Sequence, residues 1–287
     1  MQQTEGVTSA VPEFELSGPA ASPAALLRSV WQHRRLVVVL ASKDFYVRYR
    51  RTRLGMLWAI ALPVTQALVL AAVFSHLVPG VSGRSGTGGV PYALFVFAGM
   101  VPWAFFSTAF TAGGTALVDG ASLAQRIYFP RMVLPLVAVT TALFPFAATT
   151  LVLLVMALVL GPGLSVATLW LVPGAVLATL LAAALSVLVS AAQVYLRDLR
   201  FAVSAAMTVL FYLTPVIYPV SRVPVNLQHL VTALPMAGCV ELFRAGFGAQ
   251  DAHWGRAVLA TACWVLVAGV AGVLLHARRD RVLTDLL

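Results

Sequence analysis

The chain has 287 residues, of which 60% are hydrophobic and 10% charged, where a soluble domain carries about 25% charged residues. So little charge excludes a soluble enzyme or binding module and leaves a polytopic membrane protein, with spans of about 20 residues filling most of the length. The net charge of +9 would fit a nucleic-acid partner if the basic residues formed a domain of their own, but they flank apolar runs and nucleic acid is excluded.

In chain order, residues 1–22 carry Glu5, Glu13 and Glu15 among Pro, Gly and Ser. With neither a basic start nor an apolar core, they read as a disordered tail and not a signal peptide. Ser22 and Pro23 open a helix, and residues 23–53 mix Leu27, Val30, Trp31, Val38 and Phe45 with basic side chains. This segment reads as an amphipathic interface helix on the cytoplasmic face, because the apolar stretch Leu36 to Ala41 is too short to cross. Arg48, Arg50, Arg51 and Arg53 end it. Each would cost about 2.5–3.5 kcal/mol at the bilayer centre and contributes about 1 kcal/mol beside an anionic leaflet, so the first span begins after Arg53.

Residues 54–287 form the transmembrane domain, with uncharged apolar runs at about 57–78, 92–118, 132–160, 166–194, 201–220 and 257–275. The predicted fold is all-α: six transmembrane helices, the N-terminal interface helix, and short outer re-entrant helices between spans five and six. Continuous apolar runs mean helices, since backbone in hydrocarbon must satisfy its own hydrogen bonds and a barrel would show alternation. With both termini cytoplasmic, the basic residues divide fifteen inside to four outside, as the positive-inside rule requires. Residues 221–256 are apolar enough to suggest a seventh span, but Pro224, Pro235, His229, Glu241 and Arg244 oppose a free crossing. Glu241 and Arg244, three apart, are placed to pair on one helix face.

Chemistry-bearing residues are scarce. Asp119 and Asp198 fall at span ends, His76 and His276 at span edges, and no His, Cys or carboxylate group has metal-ligand spacing. Cys239 and Cys263 receive no role. No intramembrane carboxylate marks a proton- or sodium-coupled transporter. A phosphate loop needs a lysine after its glycine, and the only lysine, Lys43, follows Ser42. Any ATPase must be another polypeptide.

Four stretches in order around these spans carry a resemblance: "DFYVRYRRTRLGMLWAIALP", "GASLAQRIYFPRMVLPL", "YLRDLRFAV" and "FYLTPVIYPVSRVP". From about residue 24 to the C-terminus the chain resembles the membrane-spanning subunit of type-2 ABC exporters, in the branch exporting O-antigen, teichoic acid and other lipid-linked polysaccharides. The resemblance implies a bacterial inner-membrane homodimer with two ATP-binding subunits, which hold ATP and magnesium, and no cofactor in this chain. It makes Gly120 to Arg131 a coupling segment against the ATPase, through Ser122, Leu123, Gln125, Arg126, Ile127, Tyr128 and Phe129. The alternative is a plain charged turn, although an exposed Ile127, Tyr128 and Phe129 would want a partner. Arg48, Arg50, Arg51 and Arg53 are either anchors alone or also a binding site for a lipid pyrophosphate. Trp103, Phe105, Phe106, Phe110, Phe211 and Tyr212 either stack on sugars in a channel or pack in the core or against lipid. Where the family often has Asn-Pro in the outer segment, this chain has Leu234 before Pro235. An exporter of drugs or small lipids is the nearest rival. A membrane enzyme of lipid-linked sugar metabolism would need a polar catalytic cluster at the membrane face, and beyond arginines none is visible.

Overall fold

The computed structural model describes residues 22–50, 55, 57–77, 89–121, 129–160, 163–196, 198–249 and 251–285. Among them every regular element is helical. Helix α1 (Pro23–Gln32) starts where the Ser22 side chain accepts from the Ala25 amide at 3.2 Å, with proline in its first turn. It stops at His33, which leaves helical geometry (φ −89°, ψ 11°) while its ring Nδ1 lies 2.8 Å from the Ser29 carbonyl. The single helix expected over 23–53 is therefore two, and α2 (Arg34–Arg50) restarts at once.

Helix α2 buries Val37 and Ala41 against Leu117, Phe129, Val133, Leu134 and Val137. Farther along, the Thr141 hydroxyl donates to the Ala41 carbonyl at 3.4 Å, and the Phe45 ring lies 4.7 Å from Phe144. These contacts advance together, so α2 runs alongside the first part of α5 (Val133–Leu160) in the same direction.

Helix α3 (Leu57–Leu77) leans on α4 (Tyr92–Asp119), the centre of the bundle. Helix α4 is enclosed by α3, α5, α6 (Leu171–Gln193) and α9 (Ala237–Ala245). A 3-10 turn, Val166–Trp170, leads into α6, whose other main neighbour is α10 (Trp254–Asp285). Among the described residues, Tyr92–Asp119, Val133–Leu160, Val166–Gln193 and Trp254–Arg278 are long and apolar enough to cross a membrane.

Helix α7 (Leu199–Leu213) is shorter than the apolar run that contains it. Its 15 residues rise about 22 Å, short of a hydrocarbon core of about 30 Å. The cause is Pro215, which drives the preceding residue out of helical geometry: Thr214 stands at φ −71°, ψ 138°. The chain continues through an irregular, largely buried segment to α8 (Val225–Thr232) and α9. All nine residues of α9 are buried. Its approach to α10 depends on Gly238, where an added Cβ would stand 2.6 Å from the Ala257 carbonyl oxygen and the Val258 Cα.

A fixed geometry ties α8 and α9 to α10. Trp170 and Trp254 meet edge to face at 5.3 Å where α6 and α10 begin. Arg256 reaches the His229 ring at 2.7 Å, the Trp264 indole donates to the Ala233 carbonyl at 2.9 Å, and the Gly238 amide donates to Thr261 at 3.1 Å. At the far end of α9, the Thr168 hydroxyl donates to the Gly246 carbonyl at 3.4 Å. The α8–α9 pair thus runs down α10 as far as Trp264 and returns to the level of Trp170.

Candidate functional site: an uncharged aromatic cavity

Side chains from four helices enclose a cavity of about 730 Å³. Helix α3 contributes Trp58, Leu62, Thr65, Gln66 and Val69, spaced at three and four residues and so on one face. Helix α4 supplies Trp103, Phe105, Ser107 and Thr108, α5 supplies Phe146 and Thr149, and α7 supplies Met207, Thr208, Phe211 and Tyr212. Trp103 lies 5.6 Å from Phe211, Phe211 5.2 Å from Tyr212, and Phe105 stacks on Phe146 at 4.4 Å. Trp58 and Tyr212, 58% and 63% exposed, mark the open side. Among the described residues, no charged side chain lines it. Aromatic faces beside hydroxyls and one amide can hold a neutral polyhydroxylated ligand, and no described carboxylate, histidine, cysteine or lysine stands among them.

Of the six aromatics singled out in the sequence, Trp103, Phe105, Phe211 and Tyr212 line this cavity. Phe106 and Phe110 do not: they stack on each other at 5.5 Å inside the bundle core, 1% and 6% exposed. Trp58, Gln66 and the threonines went unassigned, although Gln66 on an apolar stripe with Trp58 is a polar interruption of the kind that marks an intramembrane pathway.

Beside the cavity lies a buried polar network. Arg244, wholly buried, binds Glu241 at 3.2 Å, donates through Nη2 to the Val216 carbonyl at 2.7 Å, and sits 3.7 Å over the Phe95 ring. The second Glu241 oxygen accepts from the Asp251 amide at 2.9 Å, and the Asp251 carboxylate accepts from the Ser221 amide at 2.9 Å. The Glu241–Arg244 pairing suggested by their spacing is present. Its reach to Val216, 28 residues away, had no local signal.

The remaining expected residues are elsewhere. Arg48 is exposed near the end of α2, Arg50 closes that helix, and Arg51 and Arg53 lie outside the described residues. Ser122, Leu123, Gln125, Arg126, Ile127 and Tyr128 also lie outside them. Phe129 is described, and its placement corrects the expectation of an exposed ring seeking a partner protein: it is 6% exposed and covered by α2 and α5 of its own chain.

The profile of the ABC-2 type transporter family matches residues 35–247, from the start of α2 to just beyond α9, and so covers the cavity and the Glu241–Arg244 pair. The chain belongs to the ABC-2 type transporter family. It is similar to the O-antigen export system permease protein RfbA of Myxococcus xanthus, 33% identical over 227 residues that cover 77% of this chain and 84% of that protein. Two proteins of the same description from Klebsiella pneumoniae are 31% and 30% identical, covering 74% and 73% of this chain and 81% and 78% of their own lengths. The chain is thus the membrane subunit of a transporter and not an enzyme.

Proposed function

We propose that this permease exports a lipid-linked polysaccharide across the bacterial inner membrane, as a homodimer joined to two copies of a separate subunit that binds ATP and magnesium. The observation that carries this reading is the uncharged cavity, where Trp58, Trp103, Phe211 and Tyr212 stand among Gln66, Thr65, Thr108 and Thr149. Sugar rings offer C–H faces to aromatic rings and hydroxyls to neutral polar groups. Binding without fixed charge stays weak enough for a polymer to keep moving. The relatives named for O-antigen export support the same substrate class.

In this reading six segments cross the bilayer: α3, α4, α5, α6, α7 with the buried residues that follow it, and α10, with both termini cytoplasmic. The arginine distribution supports that sidedness. Helices α8 and α9 form the outer re-entrant pair. Trp170 and Trp254 suit the outer interface, and Trp264, which holds the end of α8, lies ten residues or about 15 Å farther along α10. The 28 residues of α5 rise about 42 Å, some 12 Å more than the hydrocarbon.

The proposed sequence of events begins with ATP binding in the partner subunit, which shifts the Gly120 to Arg131 coupling segment. Phe129 passes that shift to α2. Arg48, Arg50, Arg51 and Arg53, a few residues before Trp58, receive the pyrophosphate of the lipid-linked glycan at the inner leaflet. The glycan then crosses along the aromatic wall while the lipid tail stays in the bilayer. Removing the chain from its host should make the polymer accumulate inside the cell and vanish from the surface, with export restored by a plasmid copy. Unchanged surface polymer in the deletion strain would refute the reading.

A further inference from the structure

One wall of the cavity, α7, is loosely secured along its own length. Of the fifteen residues of α7 only Val203 and Met207 are buried, while Phe201, Val209 and Tyr212 are each more than half exposed. The segment immediately after it is the opposite: Thr214, Pro215, Val216 and Ile217 are all buried. Two consecutive carbonyls there are held by side chains from other helices. Val216 accepts from Arg244 and Ile217 from the Tyr92 hydroxyl, each at 2.7 Å. The segment is pinned again at Ser221, through Asp251. Toward α7, the Tyr218 hydroxyl reaches back to the Leu213 carbonyl at 2.7 Å.

The close seating of Val216 requires Gly99 on α4, where a Cβ would stand 2.8 Å from the Val216 carbonyl oxygen. Inside this tight junction the Thr214 hydroxyl is buried without a hydrogen-bond partner. A buried orphan of this kind is costly. A loosely packed helix meets an immobilised anchor at a residue forced out of helical geometry by proline. That is how a hinge is built.

We propose that residues 214–217 are the hinge on which α7 moves as a wall of the cavity, and that Arg244 and Tyr92 are positioning residues fixing that hinge to α4 and α9. The inference rests on the reading of the cavity as the transport route. Arg244 serves two masters at once, Glu241 through Nη1 and Val216 through Nη2, which a lysine ammonium reproduces poorly because it lacks the planar fork. With the anchor weakened, the movement of α7 no longer depends on the state of the ATPase subunit.

The test uses the full transporter in membranes, in a Cys263→Ser background because Cys263 is exposed while Cys239 is buried. Tyr212→Cys reports the α7 wall through its reaction rate with a membrane-impermeant maleimide, with and without ATP. The parent is expected to show a nucleotide-dependent rate. Tyr92→Phe, which keeps the ring and removes one hydrogen bond, should reduce that dependence by up to about tenfold. With Tyr212 intact, Tyr92→Phe should slow polymer export while leaving the thermal midpoint of the purified complex near the parent's. Arg244→Lys should act in the same direction with lower stability. Tyr92→Phe with the parent's nucleotide dependence and export rate would overturn the hinge alone. A parent whose Tyr212→Cys reacts identically in every nucleotide state would overturn the cavity as the route, and the hinge with it.

Discussion

Removing the carboxylate of Glu241 would leave Arg244 charged and without its counter-ion in a site closed to water, since both side chains are at most 2% exposed. Uncompensated buried charges typically cost about 3–5 kcal/mol, whereas replacing both partners by apolar residues is often close to neutral. Glu241→Gln should therefore lower the thermal unfolding midpoint in detergent sharply, and the double variant Glu241→Leu with Arg244→Met should recover much of the loss. A fall no larger than that of a surface substitution would show that the pair is not isolated from solvent. Gly238 makes a second prediction at this scale. Alanine there meets the backbone of α10 at Ala257 and Val258 as well as the Thr261 hydroxyl, so Gly238→Ala should destabilise by about 1–3 kcal/mol, read by the same unfolding measurement. The sequence made the Glu241–Arg244 pair legible because spacing of three on a helix is local information. It could not show the Val216 carbonyl or the Phe95 ring as further partners, because those contacts exist only once α4, α9 and the post-α7 segment meet.

Among the elements, α2 and α7 depart most from a reading based on hydropathy. The apolar run from Phe201 to Val220 looks like one span, since hydropathy weighs composition and is blind to the steric effect of Pro215 on Thr214. The proline was visible, but its consequence needed backbone geometry. Likewise the 23–53 segment reads as one helix because its composition is continuous, and the break at His33, where φ and ψ leave the helical range, has no signature in hydropathy. The stripe on α3 that lines the cavity was written in the spacing of Trp58, Thr65 and Gln66, yet its facing partners on α4 and α7 appear only in the assembled bundle. Phe129 tests the role of α2. Truncating a buried phenylalanine costs about 3–5 kcal/mol of packing, here at the junction of the proposed coupling segment with α2. Phe129→Ala should reduce ATP-driven polymer export while the ATPase subunit still co-purifies with the chain. Full export by this variant would separate α2 from coupling.

For the molecule as a whole, the sidedness inferred from arginines is open to a direct check. In the Cys263→Ser background, Val225→Cys, exposed at the start of α8, should react with an impermeant maleimide applied from outside intact cells. Leu196→Cys, exposed between α6 and α7, should react only after permeabilisation. The reverse pattern would invert the topology. The class was legible early because a membrane solvent imposes composition rules on the whole chain. The cavity was legible only in fragments, because a site assembled from four helices has no contiguous signature. The central claim is that this chain is a conduit without an energy source of its own. Purified and reconstituted into vesicles without an ATP-binding subunit, it should hydrolyse no ATP and leave a lipid-linked glycan on the side where it was placed. Adding that subunit with ATP and magnesium should move the glycan across. ATP hydrolysis or accumulation of the glycan by the chain alone would contradict the account.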